Sequence, residues 1–126
     1  MSEKDRFLED LSKVGFNDWY EKEINNSECI IRRTPSGWLC GYVKVSSDNN
    51  PIVIDFDKLY VHGGITFEGT LDYLDVDGYW IGFDCAHAGD WSPMLDVYGV
   101  YRDAEYVENE LLKLTVQLKQ FGANIA

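Results

Sequence analysis

Apolar side chains recur at helical spacing at the start of the chain, where Phe7, Leu8, Leu11 and Val14 share one stripe. Ser2 stands where a helix N-cap is wanted and Gly15 where a helix stops, so the pattern predicts an amphipathic helix over residues 2–14. Asn17 is placed to cap a second helical turn through Trp19, Tyr20 and Ile24 that runs out in the polar Asn25-Asn26-Ser27. The period then changes. Residues 29–33 and 38–45 are rich in β-branched and aromatic side chains, and Thr34-Pro35-Ser36-Gly37 between them has turn chemistry, which predicts a β-hairpin. A polar loop over 46–50 leads to Ile52, Ile54 and Phe56, which alternate with Val53 and Asp55 as in a short strand. A second hairpin joins 65–74 to 79–84, because Asp77-Gly78 tolerates the positive φ angles of a tight turn. After an irregular stretch over 92–99 that contains Pro93, Asp103 opens a long helix closed by Gly122. Its apolar residues Val107, Leu111, Leu114, Leu118 and Phe121 follow steps of four and three, a stripe suited to covering one face of a sheet. The fold class expected is α+β: an antiparallel sheet of about four to six strands, a long C-terminal helix packed on one face and a short N-terminal helix.

A chain of 126 residues, 45% hydrophobic, is the size of one domain and carries enough aromatic surface to build a core. No apolar run approaches the roughly 20 residues that span a bilayer, and the charged start is unlike a signal peptide, so a cytoplasmic location is expected. Cys29, Cys40 and Cys85 are odd in number and widely spaced, which predicts reduced thiols. The net charge of −11 is concentrated: residues 46–110 hold fourteen acidic residues against Lys58 and Arg102. Such a surface repels nucleic acid phosphates and anionic lipid and attracts a basic protein partner.

Both histidines fall in two loop-like segments, Val61-His62-Gly63-Gly64-Ile65-Thr66 and Gly82-Phe83-Asp84-Cys85-Ala86-His87-Ala88-Gly89-Asp90. The second hairpin would bring its two outer ends together, and with them His62 and Asp84, Cys85, His87 and Asp90. Three chemistries fit that cluster. His62, His87 and either Cys85 or a carboxylate could bind zinc or another divalent metal with a water in the open position. Cys85 could act as a nucleophile activated by a histidine. Or one histidine could act as general base, oriented by Asp84 or Asp90. Against these stands a structural role, since histidine beside glycines also satisfies backbone groups in turns and Asp caps loop amides. If the strand continued to His87, Cys85 and His87 would share one face and Asp84 the other.

Gly63-Gly64 lacks the lysine and helix of a phosphate-binding loop. Trp38, Trp80 and Trp91 would suit stacking on a small nucleotide if they lined a cleft. Asp55 with Asp57, and Asp75 with Asp77, recur at i, i+2 and with Asp72 offer an acidic binding surface of the kind a DNA mimic presents.

The segments Gly37-Trp38-Leu39-Cys40-Gly41-Tyr42-Val43, His62-Gly63-Gly64-Ile65-Thr66, 82–90 and Glu105-Tyr106-Val107, taken in this order, resemble a group of small phage and prophage proteins of unassigned activity. The resemblance spans roughly residues 37–120; the polar loop over 46–50 departs from it. It implies a mobile-element setting, in which small accessory proteins often block a host defence system such as CRISPR or nucleotide signalling. The leading expectation is therefore a phage-type accessory protein that binds a basic host protein through its acidic surface. The alternative is a small metal-dependent or His/Asp acid–base hydrolase built on His62, Asp84, His87 and Asp90.

Overall fold

The structure is a computed structural model and describes residues 1–50, 54–94 and 98–120. It is an α+β fold in which five antiparallel strands form one sheet in the order β1-β2-β3-β5-β4. The strands are β1 (Trp19–Ile24), β2 (Ser27–Arg33), β3 (Leu39–Ser46), β4 (Phe67–Gly69) and β5 (Tyr79–Asp84). Helix α1 (Glu3–Asp10) precedes them and helix α2 (Ala104–Gln120) follows. Among the described residues no helix is long and apolar enough to cross a membrane.

The helical stripes hold, with shorter ends. Ser2 and Asp5 form a reciprocal capping box at the start of α1, but the helix stops at Asp10 and only Phe7 of its stripe is buried within it, while Leu8 is exposed. Asp103 accepts the N–H of Tyr106 at 2.8 Å and so caps α2, whose Val107, Leu111, Leu114 and Leu118 are fully buried against the sheet. Phe121 and Gly122 lie outside the described residues.

The helical turn expected after Asn17 is a strand. Asn25 and Asn26 adopt φ of 52° and 61°, the pair of left-handed conformations that closes a two-residue hairpin, and this turn pairs β1 with β2. Tyr20 and Ile24 are four apart, a spacing that suits a helix face and a strand face alike; here both pack on the side covered by α2.

The second hairpin is also revised. β4 is only three residues long, and residues 70–78 do not make a tight turn but wrap the sheet's other face, seating Leu71 with Trp80, Tyr42, Ile30 and Cys40. Gly78 has a φ of 107° while Asp77 is not left-handed, so the Asp-Gly pair does not form the expected two-residue turn. A short 3-10 turn over Phe56–Lys58 stands where the end of a strand was expected; Ile52 and Val53 lie outside the described residues. Asp55 accepts the N–H of Asp57 at 3.2 Å, so this pair caps a turn instead of sharing a strand face.

A third cluster ties the chain's two ends. Arg33 is fully buried, donating from Nε to the Val14 carbonyl at 2.9 Å and from Nη1 to that of Gly37 at 2.8 Å. Its Nη2 meets the Tyr101 hydroxyl at 2.9 Å and Asp10 Oδ2 at 3.3 Å, and the same carboxylate oxygen accepts the N–H of Ala104 at 3.0 Å. The guanidinium is thus neutralised and hydrogen-bonded throughout, the condition under which a buried charge is tolerated.

A candidate acid–base site

The short ladder between β4 and β5 sets up the site. Phe67 pairs with Gly82, the N–H of Thr66 donates to the Gly82 carbonyl at 2.9 Å, and Thr66 Oγ1 donates to Asp84 Oδ2 at 2.8 Å. The residues before β4 therefore run beside those after β5, as the sequence pattern anticipated, although the connection is longer than expected. The His62 and His87 rings lie 6.0 Å apart between centroids, at 67° to each other.

β5 ends at Asp84, although the Cys85 N–H still donates to the Leu39 carbonyl at 2.9 Å, so alternation with Ile81 and Phe83 holds for Cys85 and not for residues 86–87. Cys85 turns into the core beneath α2 and is 3% exposed. Burial, with Asp90, Cys40 and Asp84 adding to it, pushes its thiol far up, the opposite of what a nucleophilic cysteine needs. Among the described residues no three His, Cys, Asp or Glu side chains are grouped so as to hold a metal ion, and the expected set His62, Cys85 and His87 is not brought together as one.

The organising group is Asp90, whose side chain is 1% exposed. Its Oδ2 sits 2.8 Å from His62 Nε2 and accepts the N–H of His87 at 3.0 Å, while Oδ1 accepts from Arg102 Nε at 3.1 Å. Burial raises its carboxyl, but the hydrogen bonds from His62, the His87 amide and Arg102 outweigh that and hold it below the ordinary carboxylate range. An ionised Asp90 places the ring proton of His62 on Nε2. In the neutral ring Nδ1 then accepts from the Tyr106 hydroxyl, 2.7 Å away. Glu110, buried on α2, accepts the backbone N–H of His62 at 2.9 Å and pairs with Lys113 at 2.9 Å, which pins the loop to the helix.

His87 is held differently. Its Nε2 lies 3.2 Å from Asp84 Oδ1, close enough for charge attraction but off the line of a hydrogen bond, so this nitrogen has no hydrogen-bond partner. Asp84 Oδ1 accepts the N–H of Ala86 at 3.1 Å, which fixes the carboxylate beside the ring. Two imidazole–carboxylate pairs, His62 with Asp90 and His87 with Asp84, thus sit side by side, one buried and one half-open. An open groove between residues 60–62 and the exposed Leu112, Lys113 and Val116 of α2 ends at His62.

Arg102, Tyr106 and Glu110 complete the site, and no sequence pattern marks any of them as a site residue. The available signal was the i, i+4 spacing of Tyr106 and Glu110 on the flank of the α2 stripe, which places both toward one neighbour. The tryptophans depart from the stacking reading: Trp80 and Trp91 are buried in core clusters and Trp38 packs half-buried against the sheet's second face. Asp55, Asp57, Asp72, Asp75 and Asp77 are all exposed, in surface loops and turns. No family model matches this chain, and no curated protein or solved structure is significantly similar to it.

Proposed function

We propose that the protein is a small acid–base hydrolase in which His62 moves a proton under the control of Asp90, while His87 and Asp84 form a second proton-handling pair. The reading is carried by one observation: Asp90 Oδ2 joins His62 Nε2 and the His87 amide, which sets two imidazoles 6.0 Å apart. A buried, ionised carboxylate on one ring nitrogen fixes the tautomer and stabilises the imidazolium formed when the other nitrogen takes a proton. A turn histidine that merely satisfied backbone amides would not require such a carboxylate on its ring. The test is turnover of chromogenic carboxylic and phosphate esters by the wild type and by His62→Ala, His87→Ala and Asp90→Asn, with folding checked by amide NMR spectra. Folded variants are expected to lose at least about 100-fold in rate. Equal turnover in all four proteins, or none in the wild type, overturns the reading.

A second reading, a phage-type accessory protein that blocks a host defence protein, is supported by the exposed Asp72, Asp75 and Asp77 around Tyr73, which is 60% exposed. Tyrosine amid carboxylates suits a basic protein surface, and Arg32 already stacks on this ring with Cζ 5.2 Å from its centroid. Binding of this kind weakens steeply with salt and does not depend on His62. Retention of a host-protein complex after Asp72, Asp75 and Asp77 are changed to Asn would rule it out.

A further inference from the structure

We infer that Tyr106 is the nucleophile of this site and that the substrate is a phosphate ester whose charged oxygens are received by Arg102; the inference rests on the acid–base reading above. The hydroxyl of Tyr106, the imidazole of His62 and the carboxylate of Asp90 stand in series at 2.7 and 2.8 Å. That order is the wiring by which a hydroxyl is made nucleophilic: the base takes its proton on one nitrogen while the carboxylate steadies the other. Burial and the nearby Glu110, against Arg102, raise the phenol of Tyr106, so it keeps its proton at neutral pH and needs a base to release it.

The substrate class follows from Arg102. Its Nε is spent on Asp90, its Cζ lies 4.8 Å from the centre of the Tyr106 ring, and its two terminal nitrogens make no hydrogen bond among the described residues. The side chain is 26% exposed. The free edge between the two terminal nitrogens of a guanidinium matches two oxygens of a phosphate, and this one is anchored over the Tyr106 ring, in residues 46–110, where the only other base is Lys58.

In the first step the Tyr106 proton passes to His62 Nδ1 and the phenolic oxygen attacks phosphorus. The bond from phosphorus to the ester oxygen breaks, and that oxygen leaves with the electron pair and takes a proton from the imidazolium form of His87. In the second step water gives a proton to His87 and attacks phosphorus. The bond to Tyr106 breaks, and its oxygen recovers the proton from His62. The sum is hydrolysis of one phosphate ester bond.

The experiment uses the full chain with bis(p-nitrophenyl) phosphate, p-nitrophenyl phosphate and p-nitrophenyl acetate. Tyr106→Phe and His62→Ala should each lower phosphate-ester turnover at least about 100-fold, and Arg102→Ala should act mainly by raising KM. Acid quench of the wild type during turnover of the diester should leave one nitrophenyl-phosphoryl group on the peptide containing Tyr106, a readout that does not depend on any variant folding. If His62→Ala is inactive while Tyr106→Phe is active and no adduct forms, the nucleophile assignment fails and the acid–base reading stands. Turnover of the acetate alone, dependent on His62, removes the phosphate assignment only. If no ester is turned over, or turnover is indifferent to both residues, the inference and the reading fall together.

Discussion

A side chain on Gly63 would collide with His87: an added Cβ would lie 2.2 Å from Nε2 of that ring. Gly63 also has a φ of 69°, a left-handed conformation that a side chain disfavours. The glycine of the first loop is therefore the wall against which the histidine of the second loop rests. Gly63→Ala should destabilise the protein by about 1–3 kcal/mol and displace the His87 ring. The ring carbon resonances of His87 in an NMR spectrum, read alongside urea unfolding, check this. An unshifted His87 would show that the two loops do not touch.

Asp90 should give the protein an acid-sensitive component of stability. Its folded carboxyl lies below the value of about 3.9 expected in the unfolded chain, so its contribution is present above that value and is lost as the pH falls through the folded one. Asp90→Asn should cost on the order of 3 kcal/mol at pH 7, because it leaves Arg102 without its countercharge and puts a neutral amide where the carboxylate accepted from His62 and the His87 amide. It should also flatten the loss of stability below pH 4. Urea midpoints from pH 2.5 to 7 for both proteins would measure it.

All three thiols should be inert while the protein is folded. Burial pushes Cys40 up to about 11 and Cys29 up to about 12, and Cys85 further still. Iodoacetamide at pH 8 should label none of them in native buffer and all three in denaturant, as counted by intact mass. Early labelling of Cys85 in the native protein would contradict its place in the core.

Arg33 should be among the costliest single residues to remove. Arg33→Ala strands the carboxylate of Asp10 and is expected to destabilise by about 3–5 kcal/mol. Tyr101→Phe deletes only the hydroxyl, which bonds Asp10 at 2.5 Å and Arg33 at 2.9 Å. It should cost about 1.5–3 kcal/mol, the scale of hydrogen bonds to charged groups. Denaturant unfolding should rank the two variants in that order.

The elements most legible in the sequence are those whose signals are local and redundant. In α2 the stripe from Val107 to Leu118 and the Asp103 cap give the same answer, and in β3 and β5 runs of aromatic and β-branched residues are bounded by turn residues. β1 is not legible as a strand because Tyr20 and Ile24 satisfy both periods and Asn25-Asn26 suits a polar helix end as well as a hairpin turn. Of the site, the meeting of His62 with His87 followed from antiparallel pairing alone. That Asp90 and not Asp84 holds His62, and that Tyr106 and Arg102 stand beside them, did not, because these depend on the orientation of α2 and of the loop after β5, which no local pattern encodes. Arg33 was equally hidden: a basic residue at the end of a strand is ordinarily solvated, and only the arrival of α1 and Tyr101 encloses it.

The Asp10 carboxylate that accepts the N–H of Ala104 lies 94 residues earlier in the chain. During translation, at about 5–20 residues per second, the first helix therefore waits roughly 5–20 s for its partner to be synthesised. Over that interval Arg33 has no enclosing shell and β1–β3 have no helix to cover them. The nascent polypeptide should thus stay open to chaperones and proteases until α2 leaves the ribosome, and then close in one cooperative event.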